Sequence, residues 1–306
     1  MSETLITRER PKPVDQLVNH AIRLHEEFDR SWRQNPRAQI SIDETIIAPS
    51  YHPEDHIAAV LDATDAVFKA KKQGIDPFEL DRELAKWNED KEAGMRVDLD
   101  DLEFAARIHF ACHDLGNLTE RAELNPQGDL FFTDKYLEKD AEERSRDIAT
   151  ALIDWHFAQA PQEELQRMER IKPLVRHLIM QTVFNPKIAT SEEPFWQFVQ
   201  VVDQIGPYYF GTRSNEQQVA GLSNEWRVRG ETPPQNLEEW LSFAIARLQL
   251  LTGEKEGEVL KIFDPSSRIR STIAASPERV RAFMGGINRP VSYLDDIPRL
   301  WQMKAI

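Results

Sequence analysis

The chain has 306 residues, 41% of them hydrophobic, with a formal net charge of -14 and an isoelectric point of about 5.1. This composition argues against wholesale disorder, and so acidic a chain lacks the basic face that phosphate contacts to nucleic acid require. A single cysteine, Cys112, permits no disulfide within the chain.

In chain order, helical periodicity dominates. The opening residues carry no apolar signal core, and no run of about 18 apolar residues occurs. The expectation is a cytoplasmic protein with no membrane span. Residues 14–32 place Leu17, Val18, Ile22, Leu24 and Phe28 at helical spacing. A second helix is predicted within 47–74, approached through Ser50 and Pro53 and stopped at Gly74. A third, 98–116, opens on the acids of DLDD, which suit the positive end of a helix dipole, and stops at Gly116. Residues 140–160 read as a fourth helix ended near Pro161, and 163–184 as a fifth with Pro173 as a kink point. The sixth, 191–210, starts on Ser191, two acids and Pro194.

After about residue 213 the texture becomes polar and rich in turn formers. An amphipathic helix is then predicted at 237–253 and a shorter one at 276–286, where Ser276 caps and Pro277 takes the first turn. No convincing alternating strand, internal repeat or Gly-rich phosphate loop is present. The predicted class is all-α, with an N-terminal helix and lead-in (1–46), a core (47–213) and a C-terminal helical extension (214–306).

Four residues in the core carry chemistry. His56 shares a helical face with Val60, Ala63 and Val67, which puts an imidazole on an apolar stripe. His113 and Asp114 end the third helix, in HFACHDLGN, where Gly116 frees the backbone to turn away. Asp203 follows Phe195, Phe198, Val199 and Val202 at the edge of another buried stripe, a costly place for a carboxylate unless it is paired or holds a metal. Singly, each has an ordinary reading as a core histidine, a cap or a salt-bridge partner. Together they form a mixed nitrogen and oxygen set that suits Mn²⁺, Fe²⁺, Co²⁺, Ni²⁺ or Zn²⁺.

His56, the adjacent pair His113-Asp114 and the distant Asp203, in that order over residues 47–210, resemble the HD-domain family of metal-dependent phosphohydrolases. The resemblance implies an HD-like helical bundle. It implies His56, His113, Asp114 and Asp203 as ligands of one divalent ion (Mn, Fe, Co, Ni, Zn or Mg), with a second metal as an option. Asp114 then has a catalytic role, bridging to any second ion. The implied reaction is hydrolysis of a small phosphate ester or anhydride, with nucleotides as the usual substrate class. Many relatives carry lysine or glutamate four residues after the pair's histidine; this chain has Asn117, which is no base at neutral pH. Glu120 does not match that position.

Binuclear relatives add histidines between the pair and the last aspartate. His156 borders the buried face of the fourth helix and is the candidate to line the site, whereas His177 lies off its helix's stripe. A histidine found in some relatives is replaced here by Asn185, which favours one metal over two. His109, one turn before His113, is a supporting or packing residue. His20 and His25 carry no comparable signal, and His52 is a substitute for His56. Asn117, Arg121 and Lys187 are the candidates to contact substrate; Arg213 and the Arg144/Arg146 pair are ambiguous between the mouth and the surface. Two alternatives stay open: a degenerate HD domain serving as a ligand-binding or signalling module, and an HD-fold di-iron oxygenase.

Overall fold

Nine of the fourteen residues in the helix Leu99–Cys112 are buried, which marks it as the interior helix of the molecule. The computed structural model that places it describes residues 13–34, 40–42, 45–47, 54–132, 140–183, 192–210 and 249–262. Among these are eight α-helices: α1 Pro13–Gln34, α2 Glu54–Lys72, α3 Leu80–Asn88, α4 Leu99–Cys112, α5 Ala141–Phe157, α6 Gln162–Met180, α7 Trp196–Phe210 and α8 Glu256–Ile262. The protein is predominantly helical. Helix α4 packs against α1, α2, α5 and α6, while α2 lies on α7 and α5 on α6.

The start of α4 follows its sequence signal. The Asp98 carboxylate caps the helix by accepting from the Asp101 amide at 2.8 Å. Asp101 itself is buried, and it is neutralised by Arg167 at 2.7 Å and Arg170 at 3.5 Å, both on α6. Further along, the rings of Phe68 (α2), Phe78 and Phe110 (α4) meet that of Phe198 (α7) edge to face, at centroid distances of 5.8, 5.8 and 5.9 Å. Burying one such ring is worth about 1.5–3 kcal/mol, so this group fixes α2, α4 and α7 to one another.

Several expectations are corrected. The chain is not free of strands: β1 Ile40–Ile42 pairs antiparallel with β2 Thr45–Ile47, and β3 Thr119–Leu124 with β4 Leu130–Phe132. The second hairpin had a legible signal in Asn125-Pro126-Gln127-Gly128-Asp129, where the Asn125 side chain accepts from the amides of Gln127 and Asp129 and Gly128 takes φ +89°. Helix α2 begins at Glu54, directly after the approach through Ser50 and Pro53, while the β-branched run at 45–47 is strand. Helix α3 was not foreseen; it buries Leu80 and Leu84.

Helix α6 runs unbroken through Pro173. The helix carrying Asp203 begins at Trp196, not at 191. Phe195, just before it, is in the left-handed region (φ +65°), and the Pro194 carbonyl accepts from His177 Nε2 at 3.0 Å. Of the stretch after residue 213, only 249–262 is described. It packs on the core through Gln197, whose Nε2 donates to the Leu251 carbonyl at 2.7 Å, and through the Lys255–Glu79 ion pair at 2.7 Å. The helix predicted at 237–253 is therefore seen only from 249, and the one at 276–286 lies outside the described residues.

Candidate metal centre

Helices α2, α4 and α7 bring His56, His113, Asp114 and Asp203 to one point. His56 sits in the first turn of α2 and is fully buried. His113 is the C-terminal cap of α4, and Asp114 follows it with φ -103° and ψ -2°. That break in the helix lets two adjacent side chains serve one site. Asp203 stands in the second turn of α7.

The ligand atoms lie within a few ångströms of one another. His56 Nε2 is 3.3 Å from His113 Nε2, 3.4 Å from Asp203 Oδ1 and 3.7 Å from Asp114 Oδ2. His113 Nε2 is 2.9 Å from Asp114 Oδ2 and 3.1 Å from Asp203 Oδ1. Ligand atoms of His56, His113 and Asp203 all fall within 4.8 Å of one another, a spacing that can hold a metal ion. His113 Nδ1 lies 2.9 Å from the Phe110 carbonyl, which can only accept. The Nδ1 hydrogen is therefore fixed there, and Nε2 is the atom turned to the cluster, the arrangement metal-binding imidazoles adopt.

The electrostatics also suit a cation. Burial disfavours charge on His113, yet the Asp114 and Asp203 carboxylates outweigh it and hold its pKa well above the ordinary value. For Asp203, burial pushes upward, and hydrogen bonds from His113 and His56 reverse it, so its carboxyl stays below the usual range. The imidazoles are shut off at 0% and 2% side-chain exposure, whereas Asp114 and Asp203 keep 9% and 15%. The cluster thus opens along its carboxylate edge.

Gly116 has a different role from the one expected. The structure shows no positive φ there; what it needs is the missing side chain. A Cβ at this position would stand 1.9 Å from the Ala141 carbonyl oxygen and 2.6 Å from the Ser145 amide nitrogen. The first turn of α5 is pressed onto the chain just past Asp114. The Gly116 amide donates to Ser145 Oγ at 2.8 Å, and Arg144 Nε donates to the Gly116 carbonyl at 2.8 Å. Nothing in the sequence around Ser145 announced this clamp.

The other sequence candidates fall as follows. Asn117 is buried, and its Nδ2 donates to Asp114 Oδ1 at 3.4 Å, so it steadies a carboxylate of the cluster. Arg121 is exposed on β3, and its main chain is tied to Thr119 Oγ1. Lys187, Asn185, His52 and Arg213 lie outside the described residues. His156 is not among the four; its Nε2 lies 2.9 Å from His20 Nδ1 on α1. His177 binds the Pro194 carbonyl and packs on Trp87 at a centroid distance of 4.8 Å. His109 is fully buried beside Phe110, and burial, followed by the charge of His113, keeps it neutral. No protein-family model, curated protein or solved structure matches this chain.

Proposed function

We propose that this protein is an HD-type, metal-dependent phosphohydrolase acting on a small phosphate ester or anhydride, with nucleotides as the first class to test. The observation that carries the reading is the convergence of two imidazole Nε2 atoms and two carboxylates from three helices, in the chain order His, His-Asp, Asp. His56, His113, Asp114 and Asp203 would hold the ion. A divalent cation in such a set supplies Lewis-acid activation of water and of a phosphoryl oxygen.

The chain's own residues do the rest. Phe110 fixes the tautomer of His113 through its carbonyl. Asn117 holds Asp114. Two carboxylates and two neutral imidazoles carry a charge that one divalent cation cancels, so a phosphate can approach the exposed carboxylate edge without net repulsion. Arg144, held against the Gly116 carbonyl, adds a guanidinium beside the turn that presents Asp114.

A ligand-binding or signalling module is the second reading, and Asn117 is what favours it. Its amide is no proton acceptor, and it stands where relatives of the resembled family place a base. The deciding experiment is metal content by elemental analysis, followed by a hydrolysis screen on nucleotides and simple phosphomonoesters. It is run on wild type and on the double variant His113→Ala with Asp114→Ala. About one transition metal per chain, with turnover, both lost in the double variant, supports the hydrolase. Metal without turnover moves the conclusion to the module. No metal, even after reloading with Mn²⁺, Co²⁺ or Ni²⁺, ends the hydrolase reading and leaves the binding module.

A further inference from the structure

The geometry points to a second metal-binding site, made by His20 of α1 and His156 of α5, that takes a cation of tetragonal preference, Cu²⁺ or Ni²⁺. It shares no residue with the four-residue cluster and does not depend on how that cluster is read. His20 Nδ1 and His156 Nε2 lie 2.9 Å apart. With metal–nitrogen bonds of ~2.0–2.1 Å, two ligand atoms at that separation subtend roughly 90° at the ion. That angle fits square-planar or tetragonal coordination and is too narrow for a tetrahedral site.

The surroundings present these two atoms as ligands. Trp155 closes on His20 edge to face at a centroid distance of 5.3 Å, and stands 4.8 Å from the His156 ring. Gly128, at the tip of the β3–β4 hairpin, lies against the His20 ring; a Cβ there would be 2.8 Å from His20 Cε1. Without an ion, His20 Nδ1 or His156 Nε2 carries the hydrogen of their 2.9 Å contact; a bound cation would take the place of that hydrogen once the ring shifts its proton to its other nitrogen. Burial first, then Arg23 for His20, and for His156 the His20 ring followed by Arg23, push both pKa values down. Among the described residues, Arg23 and Asp129 act on the pair, and Glu27 pairs with Arg23. Arg23 meets Glu27 at 3.5 Å and Asp129 at 3.4 Å, so their local sum is one negative charge. His156 is half-buried and Trp155 is 44% exposed, so water can complete the coordination from outside.

The test titrates the full-length wild-type chain with CuCl₂, and likewise His156→Gln, His20→Gln and Trp155→Phe. It reads bound copper per chain, the copper EPR spectrum and tryptophan quenching. Both histidine variants are expected to bind one copper fewer than wild type, or to bind it at least 100-fold more weakly. Trp155→Phe is expected to keep that copper and to lose much of the quenching. Equal copper counts in wild type and His156→Gln would overturn the site. If the glutamine variants prove misfolded by circular dichroism, Trp155→Phe decides alone: quenching as in wild type would place the copper elsewhere and overturn the proposal.

Discussion

Two regions of this molecule bring imidazoles together at almost the same separation, and they do so under opposite fields. In the α2–α4–α7 cluster the two Nε2 atoms are 3.3 Å apart, and in the α1–α5 pair the two nitrogens are 2.9 Å apart. The first pair is embraced by Asp114 and Asp203, which pull positive charge in and raise the pKa of His113. In the second, burial leads, followed by the mutual repulsion of the rings and the charge of Arg23, and His156 is pushed down to about 4. Proximity of histidines alone therefore says little about their charge. The carboxylates beside them decide it.

The sharpest way to break the contrast is at Gly116. Gly116→Ala drives a methyl group into the Ala141 carbonyl, which belongs to a helix backbone that cannot step aside. A loss of about 3 kcal/mol or more is expected, seen as a lower urea midpoint, together with loss of metal binding at the cluster. A midpoint within experimental error of wild type would show that α5 is not pressed on the turn. Asp203→Asn comes next. It removes one of the two charges that separate the regions, and metal affinity at the cluster should fall by more than about 100-fold while the fold is kept. Isothermal titration with Mn²⁺ or Co²⁺ measures it; unchanged affinity would remove Asp203 from the ligand set.

Asn117→Ala is expected to act more gently. It leaves all four proposed ligands but frees Asp114, at a cost of about 10-fold in metal affinity. The smallest effect comes from the other region. His156 binds its proton less readily folded than unfolded, so the unfolded state takes up more protons as the pH falls. Its contribution to stability is complete above about 6.5, the value of an ordinary histidine, and fades as the pH falls toward about 4. His156→Gln should flatten that part of the stability-against-pH curve, measured by thermal melts in series. A curve of the same slope in wild type and variant would show that His156 is protonated alike in both states.

Much of this was legible because the signals were local. The burial of α4 follows from its apolar run, and the stripe positions of His56 and Asp203 from helix faces, whereas one site for His56, His113, Asp114 and Asp203 was implied only by the resemblance. What stayed hidden was of two kinds. Short elements such as α3 gain their stability from packing on longer ones, so their own periodicity is weak; the β3–β4 strands share this weakness, and only their turn was legible. Pairings across long sequence separations left no trace at all: His20 meets His156 across 136 positions, and Ser145 meets Gly116 across 29. His156 was the natural histidine to send toward the cluster, since it lies on the border of a buried face. Which neighbour that face meets is set by how α5 packs on α1, and no periodicity encodes it. The start of α7 departs from its sequence signal for a similar reason. The acids and proline before it look like a helix opening, but His177 claims the Pro194 carbonyl and Phe195 turns left-handed.

The clamp at Gly116 also bears on how such a chain can drift over generations. Because Gly116, Arg144 and Ser145 are locked together, everything strung between residues 117 and 141 hangs from a closed ring whose neck is already fixed. Lengthening or shortening that ring changes closure entropy only slowly, by about 0.6 kcal/mol per doubling. Insertions and deletions can accumulate there without disturbing the neck. A pattern joining H-D-x-G-N to a helix start of small residues such as Ala141 and Ser145, through a gap of unfixed length, should therefore gather distant kin that an alignment with a fixed gap would miss.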